Sequence, residues 1–144
     1  MEKIKISSNE KQYMVVDEHD EEMGVIKIDV TDFEFFNRTK EAEKKITEAV
    51  KKLEQLQKQN VAVEEAFAEL SVLDKEVKEQ LNQMFNYDVS SVVFGNKNCL
   101  SIADGKMLVA RFMEAIVPVI KRDIEKEQKK SVQKMSKYTK GYAK

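Results

Sequence analysis

Two side chains in this sequence have the chemistry of a nucleophile or a general base, His19 and Cys99, and each residue type occurs once. Hydrolytic triads need a base beside the nucleophile, and no histidine follows Cys99 in the chain. Because Cys99 lies among apolar neighbours, we expect it to be a buried packing residue. The carboxylates mostly alternate with lysines, which is typical of a solvated helix face. These patterns predict a protein without catalytic activity and without a cofactor.

Two short segments have residues that could bind a small ligand. The acidic stretch Asp17–Glu22 offers oxygen ligands for a divalent cation, but it lacks the spaced glycine and the final glutamate of a calcium loop. We interpret it as a solvated hairpin tip, with a cation as the alternative. The FGNKN segment at 94–98 lacks the pattern of a phosphate-binding loop. It is instead typical of a phenylalanine-anchored turn with Gly95 at positive φ, so we predict no metal or phosphate site.

The composition predicts one thin domain with much solvated surface. The chain has 144 residues, of which 42% are hydrophobic and 35% are charged. Four glycines and one proline supply few turns, which favours a few long elements. The single cysteine excludes an internal disulfide and a thiolate zinc site. No run of 18 apolar residues and no apolar signal-peptide core occur, so we expect a cytoplasmic protein without membrane contact.

The first thirty residues have the alternating pattern of short β-strands. It occurs in KIKIS (3–7), in YMVV (13–16) and in GVIKIDV (24–30). We therefore predict a small antiparallel sheet over residues 1–30. Two or three strands alone are marginally stable in water, so this sheet must pack on a helix or on another subunit.

Residues 31–128 have the periodicity of a helical domain that starts at TDFE. In this segment Thr31 and Glu34 form the pattern of a capping box. The following residues, to about Gln59, lack glycine and proline and have a narrow apolar seam that needs a neighbouring helix. A helix of this length would reach about 40 Å, which is longer than the core of a domain of this size requires.

Two further helices follow in the predicted helical domain. One runs from Val63 to Phe85 and forms an antiparallel hairpin with the first. Another runs from about Ser101 to Lys126, with a kink at Pro118. The predicted fold class is therefore mainly α (α+β), with a long helical hairpin, a kinked third helix and a small N-terminal antiparallel sheet.

The end of the chain, residues 129–144, carries six lysines and no acidic residue, which leaves −7 on the rest of a chain of net charge −1. Its large apolar residues lack helical spacing, so we predict a basic, disordered tail. Tyr138 and Tyr142 could stack on bases, so the alternative function is a nucleic-acid-associated protein that uses this tail. The acidic body and the scarcity of arginine disfavour nucleic acid as the partner.

Three features of the sequence favour a function in protein–protein interaction. The apolar seam of the first helix is longer than the core of one chain requires, and we expect the sheet to leave a free edge. Three aromatic residues, Phe33, Phe35 and Phe36, cluster where the sheet meets the first helix. We therefore predict self-association as a homo-oligomer, or a groove for a partner helix.

The order of segments in residues 37–144 resembles a known family. A charged helix (NRTKEAEKKITEAVKKLEQL) is followed by a second helix, by the segment SSVVFGNKN, by an apolar last helix and by the Lys/Tyr-rich end MSKYTKGYAK. This order is similar to that of the small tail assembly chaperone-like proteins of phages and prophages of Gram-positive bacteria.

The resemblance implies a helical protein that coats an extended tape-measure protein, keeps it soluble and recruits tail-tube subunits. It also implies assembly of many copies. The residues that match the family at the turn and on the helix after it would pack the fold first and face a partner second. They are Val93, Phe94, Gly95, Asn96, Phe112, Met113 and Ile116.

Overall fold

A computed structural model describes the backbone of residues 1–142 and the side chains of residues 1–132. Over the described residues the fold consists of four helices and two small antiparallel sheets, which confirms the predicted mainly helical class with a sheet near the N-terminus. The elements in chain order are β1 (Lys11–Val16), β2 (Glu22–Ile28), α1 (Phe33–Lys58), α2 (Val63–Phe85), α3 (Val89–Val93), β3 (Ile102–Ala103), β4 (Lys106–Met107) and α4 (Leu108–Tyr142).

The long helices α1 and α2 form the antiparallel hairpin that the sequence predicts. At one end, Arg38 Nε of α1 donates a hydrogen bond to the carbonyl oxygen of Met84, near the end of α2, at 3.1 Å. The apolar seam of α1 has small residues at Ala42 and Ala49, both buried. Small side chains let the two helices approach closely, so the facing residues of α2 are fully covered; they are Leu73, Val77 and Leu81.

The start of α1 lies one residue later than the capping pattern indicates. Asp32 is the N-cap, and its carboxylate accepts a hydrogen bond from the Glu34 N–H at 3.0 Å. Thr31 instead donates its own N–H, and its hydroxyl, to the Asp29 carboxylate. The prediction of Thr31 as the cap was wrong because a second aspartate three residues before Asp32 bonds the threonine in a local turn.

A row of aromatic rings joins the helices in the core. The ring centroid of Phe85 lies 6.0 Å from that of Phe35 in α1 and 5.9 Å from that of Phe112 in α4. Phe112 in turn lies 6.1 Å from Phe94, which ends α3. All four side chains are buried, so this row connects three helices and the turn after α3.

The N-terminal hairpin packs one face on the helical body and leaves the other face in solvent. Its strands pair antiparallel, with Tyr13 opposite Ile26 and Met14 opposite Val25. Ile26 and Ile28 are almost fully buried, whereas Met14 and Val25 on the other face are exposed. The backbone N–H of Lys27 donates to the Tyr87 hydroxyl at 2.7 Å, which ties the outer edge of β2 to the segment between α2 and α3.

The first predicted strand, residues 3–7, was wrong. These residues have no strand assignment, and the side chains of Ile4 and Ile6 are each 88% exposed. Alternation alone makes a strand only where the segment pairs with another strand, and residues 3–7 pair with no strand of the described chain.

The predicted start of the last helix at Ser101 was also wrong. Residues 102–107 form the two-residue strands β3 and β4, and α4 begins at Leu108. The turn between these strands is Asp104-Gly105, with φ of 52° and 77°. Positive φ at both central residues is typical of the tight hairpin turn that Asp-Gly favours, so this dipeptide breaks the helical pattern.

The C-terminal segment differs from the sequence prediction. The sequence predicts disorder from residue 129, whereas α4 continues to Tyr142. The helix continues because lysine and glutamine favour helix formation and no proline follows Pro118, which itself lies inside α4. The side chains of Tyr138 and Tyr142, on which the nucleic-acid alternative depends, lie outside the described residues.

Gly24 allows β2 to pack against α3, and its replacement tests this contact. It has φ of 145°, and an added Cβ would lie 3.0 Å from Val92 Cγ1. We expect Gly24→Ala to lower the free energy of unfolding by about 1–2 kcal/mol through backbone strain and the short contact, as measured by urea denaturation. Gly105→Ala is the control, because φ there is 77° but no described atom lies within 4 Å. A smaller loss for Gly24→Ala than for Gly105→Ala would contradict the contact.

A candidate partner-binding groove

An apolar groove of about 490 Å³ lies between the start of α1 and the later part of α4. Phe33, the first residue of α1, is 85% exposed beside it, and Phe36 is 39% exposed. The remaining apolar lining comes from Val30, Ile124 and Val132. We call this surface the Phe33 groove. Monomeric proteins seldom leave a ring as exposed as that of Phe33 beside a concave apolar surface. Such a combination is typical of sites that bind protein partners.

The geometry of α1 explains why neighbouring phenylalanines point in different directions. Successive residues of a helix are about 100° apart, so Phe33 and Phe36 share a face and Phe35 points to the other side. Phe35 is therefore buried against Phe85, while Phe33 and Phe36 line the groove. An ion pair between Arg38 and Asp32, at 3.0 Å, fixes this first part of the helix.

Polar residues surround the apolar part of the Phe33 groove. They are Thr31, Glu127, Gln128 and Ser131. An apolar centre with a polar rim is the usual composition of a protein-binding surface. Its volume is sufficient for one or two large apolar side chains, such as those that one turn of an amphipathic helix presents at i and i+3 or i+4.

The α4 side of the groove is positioned by Asp123, the buried residue before Ile124. Its carboxylate accepts hydrogen bonds from the Tyr13 hydroxyl, from Lys11 Nζ at 3.4 Å and from Arg122 Nε at 3.4 Å. Burial acts to raise the pKa of Asp123, but these donors outweigh it and leave the pKa below its usual value. The pKa of Tyr13 is raised, first by burial and then by this hydrogen bond. The ionised carboxylate thus holds the N-terminal hairpin on α4.

Comparisons with known proteins gave no match for this chain. No protein-family model matches it, and no significant match occurs among curated proteins or solved structures. Among the helices in the described part of the chain, none is long and apolar enough to cross a membrane. No group of three or more His, Cys, Asp or Glu side chains that could hold a metal ion occurs within the residues described.

The two candidate catalytic residues lie apart from the groove. His19 is exposed in the turn between β1 and β2, where the Asp17 carboxylate accepts hydrogen bonds from the N–H groups of His19 and Glu21. Cys99 is fully buried, and its N–H donates to Asp74 Oδ1 at 2.7 Å. Burial, together with Asp74, raises the pKa of the Cys99 thiol to about 12, so the thiol is protonated at neutral pH.

The residues on which the predicted resemblance to the phage family depends lie around the aromatic core and do not line the Phe33 groove. Phe94, Phe112 and Ile116 are buried, and Val93 and Met113 are half-buried against them. Gly95 and Asn96 are exposed in the turn after α3, and φ of Gly95 is 58°, as predicted. A partner-binding role for these residues stays a prediction.

Sequence reasoning missed the residues that complete the groove. Val132 falls in the segment that the sequence predicts to be a disordered tail. Val30 was treated as the end of a strand. The spacing of Ile124, Gln128 and Val132, four residues apart, is the signal that could have extended the helix and revealed a second apolar wall.

Proposed function

We propose that this chain is a non-catalytic assembly chaperone that works as a homo-oligomer and binds an extended helical client. The resemblance of residues 37–144 to tail assembly chaperone-like proteins suggests a phage tape-measure protein as that client and tail-tube subunits as further partners. The observation that carries the proposal is the Phe33 groove, which presents an exposed ring beside a concave apolar surface.

The groove has the properties that a helical client needs. A tape-measure chain presents long apolar helical faces, and the groove offers apolar walls on two different helices, α1 and α4. Burying a phenylalanine side chain contributes about 1.5–3 kcal/mol, so Phe33 alone could change the affinity by a factor of about ten to a hundred. The polar rim residues would orient the client through hydrogen bonds; they are Glu127, Gln128 and Ser131.

Weak binding by each copy is compatible with this role. Several copies that line one extended client act together, because each bound copy raises the local concentration of the next if the copies associate. A site of modest affinity also releases its client when tail subunits replace it. The small size of the Phe33 groove, about 490 Å³, is consistent with such reversible binding.

The positions of the reactive side chains support a non-catalytic role. The thiol of Cys99 is buried and protonated, and His19 is on an exposed turn beside Glu18. The buried carboxylate of Asp123 is hydrogen-bonded by Tyr13 and by two cations, which is the arrangement of a structural contact.

The role of the groove is tested by Phe33→Glu in the full chain. The probe is a purified fragment of a phage tape-measure protein that aggregates when diluted from denaturant, and its light scattering is recorded with increasing amounts of chaperone. We expect the natural chain to suppress the scattering and the Phe33→Glu variant to need at least about tenfold more protein, because a buried contact is replaced by an unpaired charge.

The matched control for this experiment is Phe67→Glu. Phe67 is 65% exposed on α2 and lies outside the groove, so its replacement removes an exposed ring from a different surface. We expect it to act like the natural chain. The proposal is wrong if the natural chain does not suppress aggregation. It is also wrong if Phe33→Glu and Phe67→Glu lose the suppression equally while both remain folded by circular dichroism.

A further inference from the structure

The arm before β1, residues 1–10, has the sequence of a strand but no strand partner in the described structure. Ile4 and Ile6 alternate with Lys3 and Lys5, and both isoleucines are 88% exposed. Folding the arm back on β1 would need a turn at Ser8–Glu10, and the described structure has no turn at these residues. The arm is therefore better suited to pair with another molecule than with its own chain.

The free edge of the N-terminal sheet is the outer edge of β1. The Lys27 N–H points away from β1, since it donates to the Tyr87 hydroxyl. Backbone groups alternate along an antiparallel pair, so Gln12, which lies opposite Lys27, and Met14 direct their N–H and C=O groups away from β2. Within the described residues β1 has β2 as its one strand neighbour, so this edge can accept a further strand.

The hairpin also has an exposed apolar face beside that edge. Its residues are Met14, Val16, Met23 and Val25, all of which are at least 37% exposed. Ile4 and Ile6 share one face of an extended arm because they are two residues apart. An arm that lies along β1 can therefore place its two isoleucines next to Met14 and Val16 and extend this apolar face.

We propose that the arm of one copy pairs with the outer edge of β1 in a second copy, and that the exchange is reciprocal. The arm and β1 are continuous in sequence, so antiparallel pairing of residues 3–16 from two copies forms both arm–β1 contacts about one twofold axis. The alignment that puts the isoleucines on the apolar face places Ile6 opposite Met14 and Ile4 opposite Val16.

The lysines of the arm favour the antiparallel direction of this pairing, although the same alignment places Glu10 opposite Glu10 of the second copy and Glu2 opposite Glu18, where like charges repel. In this alignment Lys3 lies opposite Asp17, at the start of the turn Asp17–Glu22, which carries five carboxylates. Lys5 lies two residues away on the same arm. A parallel arm would instead direct these lysines toward Lys11, where like charges repel.

The arm contact is tested first by the mass of the full chain in solution. Sedimentation over a range of concentrations is expected to show a species of about twice 16.7 kDa. The double variant Ile4→Asp, Ile6→Asp is expected to weaken the dimer at least about tenfold, since two apolar contacts are replaced by charges that the acidic turn repels. Val63→Asp, at an exposed position of α2, is the control and is expected to leave the dimer unchanged.

A second experiment locates the arm. The single variants Ile6→Cys and Met14→Cys are mixed and oxidised, and a disulfide-linked mixed dimer is expected, because facing residues of an antiparallel pair lie within disulfide distance. Each variant carries only one of the two new cysteines, so a disulfide between positions 6 and 14 can form only between two chains. Cys99 is buried and therefore protected from oxidation. The control mixes Ile6→Cys with Val63→Cys.

Three results would overturn the exchange: a monomer at all concentrations, a dimer unaffected by the arm variant, or equal disulfide yields in both mixtures. The client-binding role proposed above can fail without affecting this result. Aggregation of the tape-measure fragment depends on the Phe33 groove, whereas the mass and the disulfide depend on the arm and on β1.

Discussion

Replacing Phe85 with alanine is expected to lower the free energy of unfolding by about 3–5 kcal/mol. Phe85 is the central ring of the aromatic row, and its centroid lies about 6 Å from those of both Phe35 and Phe112. Its removal leaves a cavity at the point where α1, α2 and α4 meet, and large-to-small changes cost most where the surroundings cannot collapse. Urea denaturation followed by far-ultraviolet circular dichroism measures the change.

Phe67→Ala is the matched control for this prediction. The same residue type on the same helix is 65% exposed at this position, so its replacement is expected to change the free energy of unfolding by less than about 0.5 kcal/mol. Equal effects at Phe67 and Phe85 would show that the aromatic row does not connect the helices as described.

Asp123→Asn is expected to lower the free energy of unfolding by about 2–3 kcal/mol at pH 7. The variant loses the charged acceptor of hydrogen bonds from Tyr13, Lys11 and Arg122, and a hydrogen bond to a charged group contributes about 1.5–3 kcal/mol. Lys11 and Arg122 remain accessible to water, which limits the loss. Asp104→Asn is the control, because its ion pair with Arg111 is on the surface, and a change within about 0.5 kcal/mol is expected.

The effect of Asp123→Asn is expected to depend on pH. The pKa of Asp123 is lowered in the folded chain, because the donors around the carboxylate outweigh the effect of burial. The stabilisation is therefore complete above the unfolded value of about 3.9 and is lost as the pH falls through the lower folded pKa. The difference between the natural chain and the variant should shrink below about pH 4 in urea titrations. A difference that stays constant down to pH 2 would contradict the role of the ionised carboxylate.

The sequence predicted α1 and α2 well because their signals are local. The spacing of apolar residues placed α2 at Val63–Phe85, and α1 was predicted to within two residues at its start. The hairpin strands were also predicted, since Tyr13–Val16 and Gly24–Ile28 alternate and face the body with every second residue.

The wrong predictions involve features that depend on distant residues or on short turns. Whether the alternating residues 3–7 form a strand depends on a free edge, which local sequence does not show. The short helix α3 has five residues and begins where the Asp88 side chain accepts a hydrogen bond from the Ser91 N–H, so its periodic signal is too brief to detect. The Phe33 groove joins Phe33 to Val132, and only the fold brings these two residues together.

The hydrogen bond between Tyr13 and Asp123, residues 110 positions apart, holds β1 against α4 and defines one end, or pole, of the molecule. The arm, the edge of β1 and the Phe33 groove are all at the pole where β1 meets α4. The loop after α1, at Gln59–Ala62, is the opposite pole, since a helix of 26 residues spans about 39 Å. A fluorescent label or an affinity tag inserted in that loop would leave both contact surfaces clear, and it would mark the position of each copy in electron micrographs of an assembled particle.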